Sequence, residues 1–326
     1  MEYNTSQALA WSRMGSRHTF GSAVTQLAEE YPDFMVIAAD TADSAGLTEF
    51  SVKYPNRFLN VGIAEQNMIG IASGLAKEGF RVFAVTFAPF ASMRCFEAVR
   101  SYPGYMHLDV AVVGLASGLS MGVGGNTHYG LEDVALMRTI PGLTIISPAD
   151  CTETVKSTEA LIIDPGPAYM RLTGVNGNPT VFKEDYTYNI GKGIVLRQGN
   201  DVAVIAAGTM VNEAIRATRL LQKQQLSASV VDMHTVKPLD TELIDELFSS
   251  HKMIVTIEEH SVIGGLGSAV AEYKAKKDHK TKLLILGLPD KFRKAGSYQY
   301  MLEKNRLTAT HIAQDILDNY PYLGGA

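Results

Sequence analysis

Short apolar runs alternate with amphipathic segments along most of this sequence, and that alternation is its strongest constraint on fold. The runs FMVIAA, FRVFAVTF, LDVAVVG and LTIIS begin at residues 34, 80, 108 and 143 and have the length of buried strands. Segments with helical spacing lie before and between them, and in the one that starts at Ser16 the residues Phe20, Val24 and Leu27 share a face. Strands separated by helices predict a parallel sheet covered by helices on both faces.

The same scheme repeats in the second half of the chain, which predicts two domains. The strand candidates there are DVAVIAAG, ASVVDM, MIVTIEE and LLILGL, beginning at residues 201, 228, 253 and 283. Between Gly174 and Gly193 the sequence loses helical periodicity and gathers Gly, Pro and Asn, as an interdomain connection does. We therefore expect an α/β domain over residues 1–175, a linker over 176–192 and a second α/β domain over 193–326, each with a mostly parallel sheet.

Composition and charge argue against several classes of protein. The 29 basic and 34 acidic residues give a net charge of −5, which has the wrong sign for a general binder of nucleic-acid phosphates. No stretch reaches the roughly 20 apolar residues that span a bilayer, and the start of the sequence lacks an apolar signal region. Two cysteines predict no disulfide framework, which favours a cytoplasmic protein. The eight histidines lack zinc-binding spacing, so we expect no metal site in this chain.

Ligands of parallel α/β folds bind beyond the carboxyl ends of the strands, and the loops predicted there hold the unusual residues of this sequence. In VGIAEQNMIGIAS, Glu65 is the single ionisable residue and lies at a strand-to-helix junction. A desolvated carboxyl at this place is suited to hold and pass a proton. It is equally typical of a helix start, where the macrodipole favours an acid.

Two more loops carry candidate ligand-binding side chains. Phe87 and Phe90 are three residues apart at a strand end and can turn two rings toward one flat ligand, although core packing is the commoner reason for such a pair. His128 follows a glycine-rich stretch, LASGLSMGVGGNTHYG, that permits close backbone approach to a ligand. It can exchange a proton there, and the alternative is a flexible surface loop.

Four blocks of the sequence together resemble the transketolase family. They are PNRFLNVGIAEQNM, GNTHYGLEDVALMRTIPGLTIISPAD, VVDMHTVKPLD and IEEHSVIGGLGSAVAE, and they occur in order over both predicted domains. The length and start of the chain resemble the separately encoded C-terminal subunit of split transketolases. The resemblance implies a pyrimidine-binding domain of a thiamine-diphosphate enzyme followed by a transketolase C-terminal domain.

The resemblance also implies how this chain contacts thiamine diphosphate. Glu65 matches the family glutamate that hydrogen-bonds the aminopyrimidine and helps to form the tautomer that activates the cofactor. Phe87 and Phe90 match the aromatic positions that pack on the pyrimidine, and Asp40 matches an acidic residue beside the cofactor. The implied activity is transfer of a two-carbon ketol unit from a ketose phosphate to an aldose.

Substrate contacts are implied by the same likeness. His128 matches a histidine near the reacting oxygens of the substrate, with a role in proton transfer or oxyanion stabilisation. Arg17, Ser44 and Arg171 match the family residues that bind the sugar phosphate. The fork of an arginine guanidinium suits phosphate oxygens.

The family's diphosphate and magnesium motif, Gly-Asp-Gly followed by a distant Asn, is missing, because no Gly-Asp pair occurs in the sequence. We therefore expect an N-terminal transketolase subunit to supply that motif and to hold the diphosphate with Mg²⁺ or Ca²⁺. The expected assembly is α2β2, with thiamine diphosphate shared between the subunits.

A departure from the family pattern concerns the substrate. Ala116, Val123 and Gly124 stand where ordinary transketolases have a histidine and a Glu-Asp pair. Lost polar contacts at a desolvated site change which hydroxyls are tolerated, so we expect an unusual ketose, branched or sulfonated. Two alternatives remain: the β subunit of a 2-oxoacid dehydrogenase E1 component, and a non-catalytic partner subunit.

Overall fold

A computed structural model describes residues 1–320 as two helix-covered sheets in contact with each other. The strands of the first half are β1 (Phe34–Ala38), β2 (Phe58–Asn60), β3 (Arg81–Phe87), β4 (Val110–Ser117), β5 (Thr144–Ile146) and β6 (Ala168–Thr173). Those of the second half are β7 (Ile194–Arg197), β8 (Val202–Ala206), β9 (Ala228–Asp232), β10 (Thr235–Lys237), β11 (Met253–Ser261) and β12 (Lys282–Leu288).

The strand orders confirm the predicted fold class. The seven-stranded sheet has the order β10-β5-β6-β4-β3-β1-β2, and the five-stranded sheet has the order β12-β11-β8-β9-β7. All neighbours run parallel except β10 beside β5 and β7 beside β9. Every residue of β4 is buried, as expected for a central strand with helices on both faces.

Helices join the strands as the alternating pattern predicts. They are α1 (Thr5–Met14), α2 (Ser16–Glu30), α3 (Thr48–Lys53), α4 (Glu65–Lys77), α5 (Phe96–Val99), α6 (Asp133–Arg138), α7 (Cys151–Ile163), α8 (Met210–Lys223), α9 (Thr241–Ser250), α10 (Leu266–Lys274), α11 (Tyr298–Lys304) and α12 (Ala309–Asn319). Within residues 1–320, none of the helices is long and apolar enough to cross a membrane.

Aromatic packing joins α2 to the first sheet. Phe20 of α2 and Phe34 of β1 each meet the ring of Phe83 in β3 edge-on, with ring centroids 5.7 Å apart. All three rings are almost fully buried. The periodicity of the first predicted helix therefore points into a close-packed core, which holds α2 and the carboxyl ends of β1 and β3 in a fixed relation.

The two halves share structure across the expected domain boundary. Strand β10 comes from the second half but extends the first sheet, with Thr235 paired to Ile146 of β5. The connecting segment also packs tightly, since Phe182 is buried and stacks on Tyr186 at a centroid distance of 4.0 Å. The division at 175 and 193 stays a prediction, and residues 321–326 of the second predicted domain lie outside the described residues.

Two buried carboxyl groups meet where the halves join. Glu153 lies in the first turn of α7 and Asp232 ends β9, and the two side chains are within hydrogen-bonding reach of each other. Burial raises the pKa of Glu153 to about 8, and burial followed by the charge of Glu153 raises the pKa of Asp232 well above its ordinary value. Two ionised carboxylates cannot hydrogen-bond each other, whereas one protonated partner donates to the other. The pair therefore shares a proton at neutral pH.

Candidate active site

The carboxyl ends of β2, β1, β3 and β4 are neighbours at one side of the first sheet, which we call the carboxyl edge. Asp40 follows β1, Glu65 follows β2, Phe87 ends β3 and Ala116 lies near the end of β4. Parallel alignment brings these positions to the same side of the sheet. Open α/β sheets bind ligands at such an edge.

Glu65 is the first residue of α4, and its side chain is buried, with 4% of the residue exposed. The N-cap residue Ala64 offers no side-chain hydrogen bond, so an acid in the first turn of α4 complements the positive end of the helix dipole. The Oε1 atom of Glu65 accepts a hydrogen bond of 2.6 Å from Nη1 of Arg94. The carboxyl is thus held at the carboxyl edge by a helix start and one cation.

Arg94 reaches Glu65 from a π-helical turn, Phe90–Arg94, that directly follows β3. Its guanidinium carbon lies 4.3 Å from the centroid of the Phe90 ring, and Gln66 donates to its backbone oxygen. Phe87 meets Phe90 edge-on, with centroids 6.3 Å apart. Turns of this kind are frequent at functional sites. Sequence reasoning misses Arg94 because a basic residue four positions after an aromatic one is typical of an exposed helix face.

His128 lies beside the same ring. Its imidazole centroid is 5.8 Å from that of Phe90, at an angle of 68°. The hydroxyl of Thr127 is 2.9 Å from Nδ1 of His128, which leaves Nε2 as the nitrogen for a ligand. The structure therefore brings Glu65, Phe87, Phe90 and His128 into one contiguous group.

Asp40 stands at the edge of this group in a strained backbone conformation. It is exposed, its φ is +57°, and its N–H donates to Oδ1 of Asn60 over 3.1 Å. Gly62 donates to the same oxygen over 3.0 Å. Asn60 thus ties the loop after β1 to the loop that leads to Glu65. Sequence reasoning does not assign it a role, although it lies within the block PNRFLNVGIAEQNM.

Arg17 and Ser44 belong to two segments that pack closely on each other. Arg17 is the second residue of α2, and Ser44 lies in the turn after Asp40. A Cβ at Gly21 of α2 would come within 2.1 Å of the backbone oxygen of Gly46, so glycine is required where the turn meets the helix. Burial lowers the pKa of Arg17, and no neighbouring acid offsets that cost among residues 1–320. A desolvated guanidinium without an acid partner suits an incoming anion.

Arg171 differs from this expectation, because the structure commits it to an internal ion pair. Only 2% of the residue is exposed, and its guanidinium holds both carboxyl oxygens of Asp133, at 2.8 and 3.2 Å. It also donates to the backbone oxygens of Gly130 and Glu259. Burial alone would raise the pKa of Asp133, but Arg171 holds it below its usual value. This geometry does not support Arg171 as a phosphate ligand, and we correct its role to a structural one.

The three positions that depart from the family pattern carry no polar side chain toward the site. Ala116 is buried with a φ of +51°, a conformation that costs a non-glycine residue about 1–2 kcal/mol. Val123 is 84% exposed, and Gly124 lies against His128, since a Cβ there would be 3.4 Å from that of the histidine. The surroundings of His128 are therefore apolar and roomy on this side.

No group of three or more His, Cys, Asp or Glu side chains that could hold a metal ion occurs in the described part of the chain. The donor set at the carboxyl edge is one buried carboxyl, one guanidinium and one imidazole, with two aromatic rings. Such a set suits a flat, nitrogen-containing ring better than a metal–diphosphate group.

Comparison with known proteins agrees with this architecture. Family models of the transketolase pyrimidine-binding domain and of the transketolase C-terminal domain match residues 12–178 and 191–312. A putative transketolase C-terminal section of Methanocaldococcus jannaschii is 38% identical over 93% of this chain and 96% of its own length. A 6-deoxy-6-sulfo-D-fructose transketolase subunit of Clostridium sp. is 36% identical, over 91% and 92%. One of the subunits of an apulose-4-phosphate transketolase from Phocaeicola vulgatus is 34% identical, over 86% and 90%.

Solved structures extend the comparison. A split-gene transketolase, described as an inactive β4 tetramer, superposes with a TM-score of 0.84 and 37% identity, covering 93% of this chain and 97% of that one. A transketolase from Campylobacter jejuni shares the fold, with a TM-score of 0.79, 19% identity, and coverage of 93% of this chain and 46% of its own. The chain therefore belongs to the transketolase family, and it resembles separately encoded C-terminal subunits of split transketolases along nearly their whole length.

Proposed function

We propose that this chain is the C-terminal subunit of a thiamine-diphosphate-dependent transketolase and that Glu65 binds the aminopyrimidine of the cofactor. The observation that carries the proposal is the buried Glu65 carboxyl at the carboxyl edge, beside the rings of Phe87 and Phe90. An acid in this setting forms a strong hydrogen bond to a ring nitrogen, because little water competes for it. The two rings offer an apolar wall to a flat heterocycle.

The residues present fit the pyrimidine half of the cofactor. When bound, thiamine diphosphate supplies the carbanion chemistry of two-carbon transfer. Glu65 holds a proton at the ring nitrogen, the aromatic pair excludes water, and Asp40 adds a negative charge at the rim. His128 moves a proton at a substrate oxygen, with Nε2 facing the reacting group. The diphosphate and its Mg²⁺ or Ca²⁺ belong to a partner, because this sequence has no Gly-Asp-Gly motif.

The partner is an N-terminal transketolase subunit, and the proposed assembly is α2β2. Two apolar side chains flank the site and are largely exposed, Ile63 at 77% and Val123 at 84%. Large exposed apolar side chains beside an incomplete site indicate a surface that another subunit covers. The related β4 tetramer described as inactive is consistent with a site that needs a second kind of subunit.

The substrate is a ketose with an anionic end, and the acceptor is an aldose. Arg17 and Ser44 bind the anion, while the apolar surroundings of His128 leave room for a branch or a missing hydroxyl. Related subunits named for sulfofructose and apulose phosphate support this class of substrate. A phosphate and a sulfonate present similar oxygens to a guanidinium, so both remain within the proposal.

Reconstitution tests the proposal. The chain and a subunit carrying the Gly-Asp-Gly motif are assayed separately and mixed, with xylulose 5-phosphate, apulose 4-phosphate and 6-deoxy-6-sulfofructose as donors. We expect ketol transfer only in the mixture and faster turnover of a branched or sulfonated donor than of xylulose 5-phosphate. Pyruvate decarboxylation instead would favour an E1 β subunit, and cofactor binding without turnover would favour a non-catalytic role.

A further inference from the structure

The residue His128 lies on a closed loop whose base rests on the second half of the chain. This His128 loop runs from Gly118 to Gly130, and the N–H of Gly118 donates to the oxygen of Gly130 over 2.9 Å. The buried carboxyl of Glu259, in β11, accepts the N–H of Leu119 over 2.6 Å. A Cβ at Gly118 would come within 2.2 Å of that carboxyl, so the loop begins in direct contact with β11.

A second connection fastens the tip of the loop. Oδ1 of Asn126 accepts the backbone N–H of Arg293 over 3.0 Å, and Nδ2 of Asn126 donates to the backbone oxygen of Arg293 over 2.6 Å. The amide therefore pairs with both polar groups of one backbone residue, as a neighbouring strand does. Gly125, with a φ of +70°, lies against Ala295, and Gly122 lies near the backbone of Gly296. We call residues 289–296, which receive the tip, the Arg293 segment.

The His128 loop has little stiffness of its own between these fastenings. Three of the residues from Gly122 to Gly125 are glycines, which accept many backbone conformations and resist few. His128 comes two residues after Asn126, and its ring must keep its place 5.8 Å from Phe90 to face the proposed site. The tie at Asn126 supplies what the glycines lack.

We propose that Asn126 is a positioning residue, which holds His128 at the active site by pairing with the backbone of the Arg293 segment. The proposal rests on the proposed function, in which His128 acts on the substrate. It gives the second half of the chain a part in the chemistry, since the Arg293 segment sets the place of a proton-transfer group that the first half carries. Displacement of such a group by about 1 Å can cost two orders of magnitude in rate.

Hydrogen exchange on the whole chain tests the tie itself. Asn126→Ala removes both hydrogen bonds, and the matched control Asn200→Ala removes an exposed amide in the turn before β8. We expect Asn126→Ala to speed amide exchange at least tenfold in peptides covering residues 119–129, and Asn200→Ala to leave it unchanged. Equal exchange in the two variants would overturn the proposal.

Steady-state kinetics of the reconstituted complex test the positioning role. Asn126→Ala should lower kcat about tenfold or more with little change in KM, because substrate binding by Arg17 and Ser44 is intact. Asn126→Asp keeps the acceptor for the Arg293 N–H and should recover part of the loss. Undiminished kcat in Asn126→Ala, with an active wild-type complex, overturns the proposal alone. An inactive wild-type complex contradicts the proposed function instead.

Discussion

The Glu65 carboxyl and the Arg94 guanidinium form a 2.6 Å ion pair, and the same guanidinium stacks on Phe90. Arg94 therefore contacts both groups that are proposed to receive the pyrimidine. Glu65 is buried while the Arg94 side chain is 47% exposed, so the pair is anchored on the acid and open to solvent on the base. Such a cation keeps a buried carboxylate satisfied in the free subunit.

Replacing Arg94 should expose this dependence. Arg94→Ala leaves the Glu65 carboxyl without its charged partner, and we expect a loss of about 1–2 kcal/mol in the free energy of unfolding. Urea denaturation of the isolated chain measures it. Glu65→Gln combined with Arg94→Ala should be less destabilised than the sum of the single variants, since a neutral amide has no charge to satisfy. Simple additivity of the three variants would show that the pair has no coupling.

A comparison of two arginines separates structural from substrate-binding roles. Arg171→Met leaves the buried Asp133 charge unpaired and should destabilise the chain by about 3–5 kcal/mol. Arg17→Met removes a desolvated cation that has no acid partner in the described residues, so stability should hold while KM for an anionic ketose rises at least tenfold. Thermal unfolding and steady-state kinetics measure the two effects. A stable Arg171→Met with a raised KM would restore Arg171 to the substrate site.

The shared proton between Glu153 and Asp232 predicts how stability depends on pH. Both carboxyls have a pKa above the ordinary value in the folded chain, so the folded state binds more protons than the unfolded state once pH exceeds about 4.5. The stability that these protons contribute is lost as pH rises toward and through about 8. Asp150, Tyr186, Tyr188 and His234 also face this cluster, and burial lowers the pKa of His234 to about 4, so its ring is neutral throughout this range.

Asp232→Asn replaces the protonated acid with a neutral amide of the same shape. Relative to the wild-type chain, the variant should gain stability as pH rises from 5 to 8.5, because it no longer carries the raised pKa of Asp232. Thermal unfolding across that range measures the difference. Asp164→Asn, at the exposed end of α7, is the control and should follow the wild-type profile. Parallel profiles for Asp232→Asn and wild type would contradict a shared proton.

The sequence predicts the long strands and helices well, because their apolar periodicity is local. It misses β2 and β10, which are three residues long and owe their form to hydrogen bonds with distant strands. It also misses β6, whose run AYMRLT contains a charged residue. Arg171 is tolerated there because Asp133, far away in sequence, pairs with it inside the core. Tertiary partners of this kind leave no local signal.

The same limit applies to the site. Glu65, Phe87, Phe90 and His128 are found from their loops, because loops after parallel strands converge at one edge. Asn126 shows its role only when the backbone of Arg293 is placed beside it. Arg171 is misassigned for a related reason: a guanidinium fits an internal carboxylate as well as a phosphate, and only the fold shows which one it meets.

The ketol-transfer rate of the reconstituted complex carrying Glu65→Gln tests the central claim most directly. Loss of the acid that holds a proton at the cofactor ring should lower kcat by about 10²–10⁴-fold at saturating thiamine diphosphate. Glu78→Gln, at the exposed end of the same helix, is the matched control and should keep the wild-type rate. A complex with Glu65→Gln that turns over as fast as this control would contradict the account.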